Sequence, residues 1–239
     1  MARPAISAHR GGSESAAPAT WESYRDAVTT GAEYVELDIR RLRDGTLVVY
    51  HDPRANHTGP LLADLTYRDF CAAAGYEVPT VAGVCDLLAG RAIAHLDLKE
   101  IGYEADVVKL ALDRLGAGQF VATTLEDPSV AAIKRGFPEV RTALSLGRSL
   151  AEIRAWRRLP SRLADLFAYR RVRACGADWV AAHHRLARFT VLRMCARRGV
   201  GAMVWTVNQD PALRSFLDDP RVDVLITDRP RRALALRQR

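Results

Sequence analysis

Lysine is scarce in this 239-residue chain: of 35 basic residues only Lys99, Lys109 and Lys134 are lysines. The others are arginines, so no single arginine stands out. Lys99 does, because it ends a strand-like run. Paired cysteines are missing too. Cys71, Cys85, Cys175 and Cys195 are widely spaced with no C-x-x-C. That spacing offers neither a zinc site nor a disulfide framework, and it reads as buried thiols in a reducing compartment. No run approaches the ~18 apolar residues of a membrane span. The N-terminal M-A-R-P-A-I-S-A-H-R lacks the apolar stretch of a secretory signal, so a cytoplasmic protein is expected. Helix-turn-helix, zinc-finger and aromatic–basic RNA patterns are also absent, which argues against nucleic acid as a partner despite the net charge of +7. The positive charge reads first as a solvated basic surface, and it could also attract phosphate substrates or touch anionic lipid surfaces transiently.

What is present is an alternation of strand and helix patterns. Strands are expected at 5–9, 34–39, 92–99, 120–125, 141–146, 179–183, 202–207 and 222–227. Helices are expected at 20–30, 81–88, 104–115, 129–135, 149–174, 189–198, 211–217 and 231–236. A short extension at 47–50 follows the Asp44-Gly45 turn, and residues 53–78 read as irregular. Repeated βα units imply a parallel sheet, since each parallel crossover needs a covering helix. Eight of them suggest an α/β fold closed as a (β/α)8 TIM barrel, and about 250 residues is the usual size of one. No linker or second core interrupts the chain, so one domain over residues 1–239 is expected.

The polar residues concentrate at strand ends: A-H-R-G (His9, Arg10), Y-V-E-L-D (Glu36, Asp38), V-V-Y-H-D (His51, Asp52) and H-L-D-L-K (His95, Asp97, Lys99). Side chains alternate along a strand. Glu36 and Asp38 therefore share a face above Tyr34, and His95, Asp97 and Lys99 share another. Their apolar neighbours Val35, Leu37, Ile39, Leu96 and Leu98 suit packing under helices. The charged face must point into the barrel near its C-terminal mouth, where barrel enzymes carry their active sites. Buried carboxylates are costly unless paired or metal-bound. Glu36, Asp38 and Asp97 make an oxygen-rich set suited to one divalent cation, Mg²⁺ or Ca²⁺, rather than zinc. The alternative is ion pairing of Glu36 or Asp38 with Arg10, Arg40 or Lys99. His9 and His51 are candidates for general base and general acid, because imidazole titrates near neutral pH. Arg10 and Lys99 can neutralise phosphate oxygens. Trp205, in V-W-T-V-N, has inward parity and can wall an alcohol or choline group. Thr124, His183 and Asn208 are weaker candidates for the mouth. His57 reads as a loop residue, and Asp228 as a cap for the last helix.

These residues resemble the glycerophosphodiester phosphodiesterase family. The likeness runs from His9 to Pro230 and rests on A-H-R-G, A-E-Y-V-E-L-D-I-R, D-G-T-L-V-V-Y-H-D-P, L-D-L-K, V-W-T-V-N and L-I-T-D-R-P, in the family's order. The resemblance implies a TIM barrel and metal-dependent hydrolysis of a small-molecule glycerophosphodiester to an alcohol and sn-glycerol 3-phosphate. It implies His9 and His51 as the acid–base pair and Glu36, Asp38 and Asp97 as metal ligands. Arg10 and Lys99 would hold phosphate, and Trp205 would flank the glycerol. Lysophospholipase D-like activity on the same site, or a non-catalytic barrel binding phosphate or lipid head groups, are the alternatives. Three departures from the family pattern stand out. The usual P-E-N-T is A-P-A-T (Ala17–Thr20), with Pro18 where the glutamate would be. The usual E-I-K is D-L-K, which makes Asp97 one methylene shorter. The connection after Asp52 looks short.

Overall fold

The computed structural model describes residues 3–147 and 168–238. Its strands are β1 (Ala5–Ala8), β2 (Tyr34–Arg41), β3 (Leu47–Val49), β4 (Ile93–Leu98), β5 (Phe120–Thr124), β6 (Arg141–Leu146), β7 (Trp179–His183), β8 (Gly201–Trp205) and β9 (Val224–Thr227). Eight of them are parallel neighbours in the order β1-β9-β8-β7-β6-β5-β4-β2, and the β1–β2 pairing closes the ring. Among the strands of the described residues only β3 is antiparallel, continuing β2 as a hairpin. The chain is thus a single-domain (β/α)8 barrel, as the repeated βα pattern requires.

Strand parity divides the core into two layers. Val35, Leu37, Ile39, Leu96 and Leu98 face outward and pack under the helices. Tyr34, Val121, Ala143, Ala181, Met203, Val224 and Ile226 fill the barrel interior. Register then sets the rows above that apolar floor: Glu36 pairs with His95 and Asp38 with Asp97 across β2–β4, and Asp97 pairs with Thr123 across β4–β5. Closure is reinforced by Glu33, which accepts from the Ile6 backbone N–H at 2.8 Å and meets Arg237 of the last helix at 2.7 Å.

Helices α1 (Trp21–Thr30), α3 (Val81–Leu88), α4 (Glu104–Leu115) and α5 (Asp127–Gly136) lie where apolar periodicity puts them. The Thr20–Ser23 capping box starts α1, and left-handed Gly31 ends it. Residues 53–78 are more ordered than their Pro and Gly content suggests. They hold a 3₁₀ turn (Leu62–Asp64) and α2 (Tyr67–Ala74), the latter started by a Thr66–Asp69 capping box. Phe70, Leu62, Val78 and Val48 give this segment its own small core. The helix expected at 189–198 begins earlier: a turn at His184–Leu186 passes through a π-helical stretch (Ala187–Val191) into Leu192–Arg198. Of the helix expected over 149–174, Ala168–Cys175 is helical, and 149–167 lie outside the described residues. Among the described residues, no helix is long and apolar enough to cross a membrane.

Candidate active site

The C-terminal mouth of the barrel opens as a cavity of about 290 Å³. His9, Arg10, Glu36, His51, Asp97 and Lys99 line one side, and Leu125, Ala181, Trp205 and Ile226 the other. Of the eight residues given catalytic, phosphate-binding or metal-binding roles from the sequence, all line it except Asp38, which is fully buried.

His9 leaves β1 into a tight turn. Arg10, Gly11 and Gly12 all have positive φ, at 52°, 80° and 87°. For a non-glycine residue such a conformation costs about 1–2 kcal/mol, and here it aims Arg10 twice. Its backbone N–H donates to Glu36 Oε2 at 2.8 Å, and its Nε lies 2.8 Å from Asp38 Oδ2. Gly11 must be glycine for a second reason. A Cβ there would stand 2.7 Å from Ser23 Oγ and 2.9 Å from the Ser23 carbonyl carbon.

Each histidine is tethered by a carboxylate. His9 Nδ1 donates to Asp228 Oδ1 at 2.6 Å, and His51 Nδ1 donates to Asp52 Oδ1 at 2.7 Å. Carboxylates only accept, so these bonds put the proton on Nδ1 and leave Nε2 free to exchange one. His9 Nε2 lies 3.9 Å from Glu36 Oε2. Burial alone would lower the His9 pKa, but Glu36 and Asp228 outweigh it and the net shift is upward. The exposed His57 meets the other oxygen of Asp52. Arg40 Nε donates to the His51 carbonyl at 2.8 Å and pairs with Glu100, so it braces the His51 strand end and is not the partner of Glu36 or Asp38.

Asp228 does not cap the last helix. That helix runs Pro230–Arg237 and its N-cap, Arg229, makes no side-chain cap. Glu14 does the capping, accepting from the Arg231 and Arg232 backbone N–H groups at 2.8 and 3.1 Å. Asp228 is instead pinned between His9 and Asn208, whose Nδ2 donates to its second oxygen. Burial would raise the Asp228 carboxyl, but the His9 bond and charge, the Asn208 bond and the Arg10 charge together outweigh it and hold the carboxyl below the usual carboxylate range. Asn208 therefore belongs to the site as a holder of Asp228. Thr124 does not line the cavity, because the parity of β5 turns Thr123 inward in its place. His183 is not part of the lining either and packs edge-on against Trp205, with ring centroids 5.2 Å apart.

Glu36, Asp38 and Asp97 each offer a carboxylate oxygen within 4.8 Å of the others. Burial, and then the Asp38 charge, push the Glu36 carboxyl up to about 8. Asp38 is held far below its usual range. Burial opposes this, but Lys99 and Arg10 dominate. Lys99 Nζ sits 2.6 Å from Asp38 Oδ1 and also contacts Asp97 Oδ2, and these carboxylates outweigh burial to raise its pKa. The acids thus converge, and Arg10 and Lys99 pair with them, Arg10 with Asp38 and Lys99 with Asp38 and Asp97. Yet neither Asp38 oxygen has a well-directed hydrogen bond, although both are fully buried. Each of these carboxylates keeps lone pairs beyond those its present partners take, and an all-oxygen donor set fits a hard divalent cation.

The model of the glycerophosphoryl diester phosphodiesterase family matches residues 9–102. The glycerophosphodiester phosphodiesterase of Caldanaerobacter subterraneus subsp. tengcongensis is 23% identical over 158 residues, 58% of this chain. The Bacillus subtilis protein YqiK is 28% identical over 159 residues, again 58% of this chain. Each match spans 65% of that relative's length. Among solved structures, a glycerophosphodiester phosphodiesterase from Thermotoga maritima superposes with a TM-score of 0.77 at 19% identity, covering all of both chains. An Oleispira antarctica phosphodiesterase in complex with the product sn-glycerol-3-phosphate gives 0.77 at 17% identity, covering 99% of this chain and 98% of that one. At such identities these structures speak for the fold. The family match runs from the His9 turn through the Asp97–Lys99 strand end, over the segment that supplies both histidines, the three acids and Lys99. Over that segment the chain is similar to the glycerophosphoryl diester phosphodiesterase family, and its barrel has the fold of the solved glycerophosphodiester phosphodiesterases.

Proposed function

We propose that this protein is a metal-dependent phosphodiesterase that hydrolyses glycerophosphodiesters to an alcohol and sn-glycerol 3-phosphate. One observation carries the reading: two histidines, each with Nδ1 tied to a carboxylate, border one cavity that also holds clustered acids and two cationic side chains. Such a pair suits a reaction in which one proton must be taken and another given. The family match and the product bound to the Oleispira antarctica relative support the same chemistry.

Glu36, Asp38 and Asp97 would hold Mg²⁺ or Ca²⁺, which would polarise the phosphorus centre and acidify the attacking hydroxyl. The protein's own groups do the rest. Arg10 and Lys99 take phosphate oxygens and stabilise charge that grows in the transition state. The Nε2 of one histidine removes the nucleophile's proton, and the Nε2 of the other protonates the leaving alkoxide. Asp228 and Asp52 keep both rings in the tautomer this needs. Trp205 and the apolar wall screen the glycerol side from water. A cavity of about 290 Å³ sits at the small end of the ~300–1,000 Å³ range of ligand pockets, which favours a glycerol with one compact head group over a diacyl lipid. Four free cysteines fit a reducing, cytoplasmic setting.

The test is release of sn-glycerol 3-phosphate from glycerophosphocholine by the purified protein and by His9→Ala and His51→Ala. Each variant should lose about 10²–10⁴-fold in turnover while keeping its circular dichroism spectrum. Near-wild-type activity in either would remove that histidine from the reaction. Turnover of dispersed lysophospholipid alone would move the assignment to lysophospholipase D.

A further inference from the structure

Beside the acids lies a buried polar row that the chemistry above does not use. Ser7, His95 and Thr123 are 0%, 2% and 1% exposed, and His95 and Thr123 stand level with Glu36 and Asp97, above the apolar side chains of the barrel interior. Buried polar groups are costly unless satisfied, and apolar side chains of the same shape could serve stability as well. Their hydrogen bonds suggest what the row is for.

We infer that Thr123 and His95 are positioning residues that fix the Asp97 carboxylate for cation binding, through a directed hydrogen-bond chain from Ser7 to His95 to Thr123 to Asp97. The inference rests on the cation site proposed above. Thr123 has one hydroxyl proton and three polar neighbours: Asp97 Oδ1 at 2.8 Å, His95 Nε2 at 3.0 Å and the Leu96 carbonyl at 3.4 Å. Asp97 can only accept, and it is the nearest, so the proton goes there. The Thr123 oxygen then accepts from His95 Nε2–H. That leaves His95 Nδ1 to accept from the Ser7 hydroxyl at 3.3 Å. Every donor points the same way, and the chain ends on Asp97.

The backbone builds this row directly. Asp97 and Thr123 are register partners on adjacent strands, so their side chains stand on one face at one height. The other Asp97 oxygen contacts Lys99, which also reaches Asp38. Lys99 is therefore shared and must turn toward phosphate when substrate enters. Thr123 is the contact that still holds Asp97 once Lys99 has turned. Partners of metal ligands typically contribute about 10–100-fold to metal affinity.

The experiment is calorimetric titration of Mn²⁺ into the full-length, chelator-stripped protein without substrate, for wild type, Asp97→Asn, Thr123→Val and Thr123→Ser. Asp97→Asn and Thr123→Val should each weaken Mn²⁺ binding about 10–100-fold. Thr123→Ser should restore affinity, because it keeps the hydroxyl. Thermal unfolding of the stripped proteins should vary far less than the affinities. Wild-type affinity in Thr123→Val, or loss not rescued by serine, would overturn the positioning role and leave the cation site standing. Wild-type protein that binds no Mn²⁺ would overturn the cation site and this inference with it.

Discussion

Replacing Asp228 with asparagine should slow the enzyme by about 10- to 150-fold without unfolding it. Asp228 accepts on both oxygens, from His9 Nδ1 at 2.6 Å on one and from Asn208 Nδ2 on the other. Asn208 cannot simply turn over, since its Oδ1 already accepts from the Asp228 backbone N–H at 3.0 Å and the Thr227 hydroxyl at 3.2 Å. An asparagine at 228 offers one oxygen and one amide. With its oxygen toward His9, its amide opposes the Asn208 amide, donor against donor. With its oxygen toward Asn208, its amide donates to His9 Nδ1 and drives the proton to Nε2, the atom that must be free. Either orientation forfeits a charge-assisted hydrogen bond of about 1.5–3 kcal/mol, and 1.4 kcal/mol is tenfold in rate. Loss of the Asp228 charge also removes one of the influences that raise the His9 pKa, so the His9-dependent limb of the pH–rate profile should move to lower pH. Stopped-time assays of glycerophosphocholine hydrolysis across pH 5–9 would read both effects. Unchanged kcat with an unmoved profile would refute the claim that Asp228 sets the His9 tautomer.

Other outcomes follow from the same geometry. Gly11→Ala should lower stability by about 1–3 kcal/mol in urea melts, because its Cβ meets Ser23 at 2.7 Å and φ is 80°. Trp205→Ala should raise KM about two- to tenfold, with a smaller effect on kcat, as expected for a wall that contacts ground and transition states alike. Glu33→Gln tests barrel closure. Burial would raise the Glu33 carboxyl, but Arg237 and the Ile6 N–H outweigh it and hold it low. Its stabilisation is therefore present above the unfolded value of about 4.3 and is lost as pH falls through the folded value. Because the pair is part-exposed, screening keeps it to ~1 kcal/mol or less. The variant should flatten the acid limb of a Tm-against-pH curve, and a curve parallel to wild type would exclude Glu33 as its source.

Strand parity makes much of the site legible in the sequence. Val35, Leu37 and Ile39 are apolar, so Glu36 and Asp38 had to face inward, and they do. The same rule placed His95 and Asp97 in the adjacent row. Parity failed at β5 because Thr123 and Thr124 are the same residue side by side, and only the register to Asp97 decides which faces in. The tethers of the histidines were harder to see. Asp52 follows His51 at a strand end, where an aspartate equally suits a turn. Asp228 precedes Pro230, where it equally suits a cap. Its real partner, His9, is 219 residues away, a separation that only barrel closure bridges. The order in residues 53–78 was hidden by Pro53, Gly59 and Pro60, which mask a capping box and a single buried phenylalanine.

The most direct test of the central claim is release of sn-glycerol 3-phosphate from glycerophosphocholine after EDTA treatment, and again after Mg²⁺ or Ca²⁺ is restored. Release abolished by EDTA and recovered with one of these cations is the predicted result. Equal release with and without EDTA, or no release from folded protein with either cation present, would contradict the account.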